Sequence, residues 1–260
     1  MTPEDYGDKY LKLTWQYGKN NFQVAVNKYL AIDPDICDSR KIKAAGIVKK
    51  WLLDAIKADP DVNVAGNLVQ IKSLNKSMTV DGIEKTFRGK ASPSQIADTL
   101  LLATHLKFIT ASPADPKVQG REAARPQEFA DWYLGMDCSG FANNFLGFNG
   151  NQYSIESLDR NKMTRRVTID SIVTGDVMVT RDLAHNNYKH IAIVARASKK
   201  SATSVQLFTV ESYGYQMMGV GRHDRNLVMS SPGVFVDPDP TRRGWEIYIQ
   251  VPPSRSAPSL

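Results

Sequence analysis

The stretch WYLGMDCSGFANNFLGF, Trp132 to Phe148, divides the chain into two parts that read differently. Before it the apolar residues mostly recur at helical spacing. After it they cluster in short β-branched runs separated by turns. The stretch itself reads as a helix start. Asp137 is a good N-cap residue, and Phe141, Phe145 and Phe148 recur at three- and four-residue spacing, facing a core. Cys138 therefore falls in the first helical turn, where backbone N–H groups and the helix dipole stabilise an anion. A thiolate is the nucleophilic form of cysteine. The competing reading is a packed thiol, the ordinary state of a free cysteine.

Upstream, EDYGDKYLKLTWQYGKNNFQVAVNKYLA reads as helix interrupted at Gly18. DSRKIKAAGIVKKWLLDAIKAD is a clearer helix, with Ile42, Ala45, Ile47, Val48, Trp51, Leu52 and Ile56 on one broad face. LVQIKSL alternates as a short strand. SPSQIADTLLLATHLKF predicts a helix capped by Ser92, with Pro93 in its first turn. ITASPADPKVQGREAARPQ is rich in Pro, Gly, Ala and charge, and reads as a long loop. Downstream, RVTIDSIVTGDVMVTR, HIAIVARA, SVQLFTVES and WEIYIQVP read as antiparallel strands, and GVGRHDRN as a turn-rich segment. Early helices and late strands predict an α+β protein. The expected parts are a helical region over 1–125, a second, strand-rich domain over 126–252 and a loose tail over 253–260.

The 260 residues carry a formal net charge of +6, which favours anionic partners. The lysines and arginines are dispersed, with no basic block or zinc-finger spacing, so nucleic acid is not an expected partner. No apolar run reaches the roughly 18 residues of a membrane span. The charged start MTPEDYGDKY lacks the apolar core of a secretion signal, so the chain is expected to be made in the cytoplasm. The two cysteines, Cys37 and Cys138, form neither a disulfide framework nor a metal site. No metal and no cofactor is expected.

The segment DCSGFANNFL resembles the signature of the NlpC-type cell-wall peptidases, a papain-like cysteine peptidase family whose nucleophile sits in DCSG at a helix start. The resemblance spans roughly Phe129 to Val251. It implies an α+β, papain-like catalytic domain with an N-terminal helix opposite an antiparallel β-sheet, preceded here by a helical region. It also implies a histidine opening a strand that follows a "GD" strand. TGDVMVT, Thr174 to Thr180, is followed by KHIAIVARA from Lys189, which makes His190 the expected base. Of the others, His105 sits near a helix end, His185 in a loop and His223 in the turn-rich segment.

The third residue follows from strand geometry. A hairpin centred between Lys200 and Ser201 sets Glu211 directly opposite His190, within side-chain reach. A carboxylate there orients the imidazole and stabilises its charged form. A slip by one residue turns Glu211 to the other face. Members of related families place His, Glu, Asp, Asn or Gln at this position. The upstream tyrosine that assists their oxyanion site has no counterpart in ARPQEFADWYLGMDC. Asp137, Ser139, Tyr133 and Ser212 remain as substrate or oxyanion candidates beside the Cys138 backbone N–H, and Tyr213 is read as packing.

The leading expectation is a thiol amidohydrolase or endopeptidase of peptidoglycan, with the stem peptide as substrate. Such a chain fits an antibacterial effector or lysin exported by a route without a signal peptide, with an immunity or delivery protein as partner. A second reading keeps the site for a deamidase or amidase of proteins or small amides. A third is a non-catalytic binding module.

Overall fold

The computed structural model describes residues 1–29, 39–110, 124–214 and 219–253. Cys37, most of the long loop beginning at Ile109 and the end of the C-terminal tail lie outside the described residues. The chain forms two compact units, one of Lys9–Asp137 with Gly214–Gly219, the other of Met1–Asp8, Cys138–Tyr213 and Val220–Leu260.

The chain opens with α1 (Pro3–Leu11), followed by a hairpin of β1 (Leu13–Tyr17) and β2 (Asn20–Val24). The sequence reads as helix here, but Leu13, Trp15, Phe22 and Val24 are buried at alternate positions, the period of a strand. Gly18, at φ 59°, supplies the left-handed residue of the turn. Trp15 stacks on Phe22 with ring centroids 5.1 Å apart, and its Nε1 donates to Thr104 Oγ1 at 3.1 Å. Next come α2 (Ser39–Ala58), a three-stranded sheet of β3 (Val62–Ala65), β4 (Leu68–Ile71) and β5 (Lys76–Thr79), then α3 (Val80–Thr86), α4 (Pro93–His105) and α5 (Pro126–Tyr133). On α2, Ala45, Val48, Leu52 and Ile56 are buried, but Ile47 is exposed. Ser92 caps α4 through a reciprocal capping box with Gln95, and Pro93 follows in the first turn.

In the other unit, residues 1–8 are joined by α6 (Cys138–Phe145) and α7 (Ile155–Asn161). Seven strands follow: β6 (Thr164–Arg165), β7 (Val177–Asp182), β8 (Asn187–Lys199), β9 (Ser204–Tyr213), β10 (Gly219–Ser231), β11 (Val234–Val236) and β12 (Trp245–Val251). They do not stop at the antiparallel sheet that the resemblance implies. The strands run in the order β11, β10, β9, β8, β7, β12, and β12 pairs back onto β11 through Phe235 and Ile247. This closes a six-stranded antiparallel barrel, with β6 paired outside it on β12. A barrel-dominated fold overturns the papain-like α+β expectation. The physical reason lies at the edges: twisted strands curl, and closure removes two rows of unpaired backbone groups. Three residues of β11 suffice for the seam, a run too short to stand out in the sequence.

Alternation along the strands fills the barrel. Met178, Ala192, Val194, Val205, Leu207, Leu227, Phe235, Ile247 and Ile249, one or two from each closing strand, form one buried cluster. On the outside, α6 packs against β8 and β9, with Tyr6 of α1 resting on Phe141 and Phe145 at 5.5 Å between ring centroids. Phe235 is fully buried at the seam. Phe235→Ala should therefore destabilise the chain by about 3–5 kcal/mol, read from the denaturant midpoint. A cost below about 1 kcal/mol would mean that the seam carries little packing.

Candidate active site

His190 is the first residue of β8 after a β-bulge. It pairs with Thr180 of β7, and Lys189 is then left over before Tyr188 pairs with Arg181. Bulges end regular pairing and re-aim side chains. His190 shares its face with Ala192 and Val194, the face turned into the barrel. On β9, Glu211 and Thr209 share a face with Leu207 and Val205, which is the same interior. The apolar barrel core thus continues into a polar cluster.

The register between β8 and β9 decides this meeting. The hairpin centres on Ala202, since Lys199 pairs with Val205. That moves the register three positions from the expected direct opposition, and Ala195, bulged between Val194 and Arg196, takes one back. The net offset of two keeps Glu211 on the face of His190, as a diagonal neighbour within reach of long side chains. Without the bulge the offset would be odd and the carboxylate would point away.

Glu211 is fully buried and both its oxygens are engaged. Oε2 accepts from His190 Nε2. Oε1 accepts from the Thr209 hydroxyl at 2.6 Å. Arg225 Nη2, from β10, donates to Oε1 at 2.9 Å and to Oε2 at 2.8 Å. Burial alone would raise the pKa of this carboxyl, but the facing His190, Arg225 and Thr209 outweigh it and hold it far below the ordinary range. Burial likewise works to lower the pKa of His190. Glu211, together with hydrogen bonds to Cys138 and Glu211, overcomes that and raises it to about 9. At neutral pH the pair is an imidazolium and a carboxylate.

Cys138, buried at the first turn of α6, hydrogen-bonds to His190. With Nε2 committed to Glu211, Nδ1 is the ring nitrogen that faces the thiol.

Tyr213 and His223 line the cluster. The Tyr213 ring stands edge-on to His190 at 5.4 Å and tilted against His223 at 5.1 Å. Arg225 lies 5.3 Å from the Tyr213 ring centre, and Arg242 Nη2 donates to its hydroxyl at 3.1 Å. Burial holds the His223 pKa down, and the positive charges of Arg225, His190 and Arg242 act in the same direction against Glu211. His223 is thus a neutral ring near pH 7.

The structure brings Cys138, His190 and Glu211 together. Ser139 is half-buried on the first turn of α6, its carbonyl accepting from Asn143 Nδ2 at 2.8 Å. Ser212 is buried on the face of β9 opposite Glu211. Asp137 and Tyr133 belong to the first unit, where Asp137 pairs with Lys90 at 2.5 Å and Tyr133 lies edge-on to Phe129 at 5.1 Å. His105 sits 3.3 Å from Asp59, and His185 is on an exposed turn with its Nδ1 2.8 Å from Asp182. Arg225 and Thr209 escaped the sequence reading. GVGRHDRN is not a turn but part of β10, and the alternation of His223, Arg225 and Leu227 was the available signal. No family model, curated protein or solved structure matches the chain.

Proposed function

We propose that this chain is a thiol-dependent amidohydrolase that cleaves peptide bonds of bacterial peptidoglycan. One observation carries the reaction class: a cysteine opening a helix is bonded to a histidine whose other ring nitrogen is held by a buried carboxylate. The Cys138 thiol passes its proton to His190 Nδ1, and the sulfur attacks the amide carbonyl carbon. His190 gives its Nδ1 proton to the leaving nitrogen as the C–N bond breaks, which leaves a thioester on Cys138. Water, deprotonated by His190, then releases the acid. Backbone N–H groups at the start of α6 stabilise the oxyanion. The substrate class rests on the DCSG resemblance to NlpC-type cell-wall peptidases and on the net charge of +6, which suits an anionic wall.

Purified peptidoglycan digested with wild type and with Cys138→Ala, followed by mass spectrometry of soluble muropeptides, tests this reading. Wild type should release fragments whose masses name the bond, and the variant none. No release by wild type, with Cys138 still alkylated by iodoacetamide, would move the substrate to protein or small-molecule amides. An unreactive Cys138 would favour a non-catalytic role.

A further inference from the structure

We infer that Arg225 is a positioning residue for the reaction, which acts through Glu211 to let His190 release its proton. The inference rests on the thiol amidohydrolase reading.

The geometry is specific. Arg225 and Glu211 are both buried on inward-facing positions of adjacent strands. A single guanidinium nitrogen, Nη2, spans both carboxylate oxygens, while Nε is buried with no hydrogen-bond partner among the described residues. The Tyr213 ring and Thr209 hold the remaining sides of the pair.

This arrangement matters most at the moment of proton transfer. When His190 passes its Nδ1 proton to the leaving amine it becomes neutral. Glu211 would then be an isolated carboxylate in the barrel interior, which is costly. That cost would act as a barrier to proton release. Arg225 keeps Glu211 paired before and after the transfer, so the carboxylate stays ionised and His190 alone changes charge. The groups facing His190 are Cys138 from α6, Glu211, Thr209 and Tyr213 from β9, His223 and Arg225 from β10, and Arg242 through the Tyr213 hydroxyl. Of these, Arg225 is the permanent cation bonded to the carboxylate.

Removing the Arg225 charge should make His190 hold its proton more tightly. The test is an NMR titration of the His190 ring in the full chain, assigned by comparison with His190→Gln. Arg225→Met and Arg225→Gln should both move the midpoint upward by about one pH unit. The glutamine variant keeps a donor for Glu211, so it serves if the methionine variant fails to fold. Arg225→Lys should return the midpoint toward the wild-type value, because one nitrogen already makes both contacts. Muropeptide release by the two neutral variants should slow by about tenfold or more, with the alkaline limb displaced upward. A midpoint unmoved in the neutral variants, or displaced equally in Arg225→Lys, overturns the inference. The titration needs no turnover, so a failed digest by wild type would count against the cell-wall reading alone.

Discussion

Glu211→Ala should lower stability by about 3–5 kcal/mol and turnover by about 10³–10⁴-fold. The carboxylate is fully buried and is the counter-ion of two cations at once, His190 and Arg225. Removing it leaves the Arg225 guanidinium charged, buried and unpaired. A cost of that size is a large share of the 5–15 kcal/mol that typically holds a domain folded. His190 loses both its orienting partner and the reason its proton is held. The double variant Glu211→Leu with Arg225→Met separates these effects. It should recover most of the stability, because apolar replacement of a buried pair is close to neutral, yet remain inactive. Recovery of turnover in the double variant would show that the carboxylate serves the fold alone. The pair also sets the pH dependence of stability. The depressed Glu211 adds stability that is complete above its ordinary value near 4.5 and is lost as pH falls toward its folded value. The raised His190 adds stability that is complete below 6.5 and is lost as pH rises through about 9. Melting temperatures of wild type should therefore fall as pH rises from about 6.5 to about 9, and Glu211→Ala should lose that limb.

The meeting of Cys138, His190 and Glu211 was legible in the sequence because each sits where local chemistry is constrained. Cys138 follows an Asp at a helix start, and His190 and Glu211 lie on strands joined by a short turn. The register was not legible in detail. Hairpin arithmetic assumes an unbroken ladder, and the turn at Ala202 with the bulge at Ala195 alters it twice. The two changes leave an even offset, so the face survives although the opposition does not. Closure of the barrel was hidden for a different reason. It depends on Phe235 meeting Ile247, a contact between segments whose pairing no local pattern encodes. Arg225 was hidden because GVGRHDRN reads as a turn-rich segment. Arg222 and Asp224 are indeed exposed, but Arg225 faces inward, where Glu211 compensates the guanidinium charge.

Turnover by wild type should hold from neutral pH to about 9 and then fall, roughly tenfold for each further pH unit, and His190→Ala should be about 10⁴-fold slower at pH 7. The argument follows the proton. With Glu211 on Nε2, the only mobile proton of the imidazolium is the one on Nδ1, facing Cys138. Below about pH 9 it is present and can be given to the leaving nitrogen. Above that value the ring is neutral, the acid is gone, and expulsion of an amine becomes the slow step. A thioester substrate offers a control. Its leaving thiolate needs no proton, so wild-type hydrolysis of a thioester should lack the alkaline limb that amide hydrolysis shows. His190→Ala should also be impaired less on the thioester than on the amide. If amide and thioester profiles fall together above pH 9, the limb reports loss of the folded cluster, and the melting curve at the same pH would identify it as such. If the amide profile falls alone, the proton on His190 Nδ1 is the one the reaction spends.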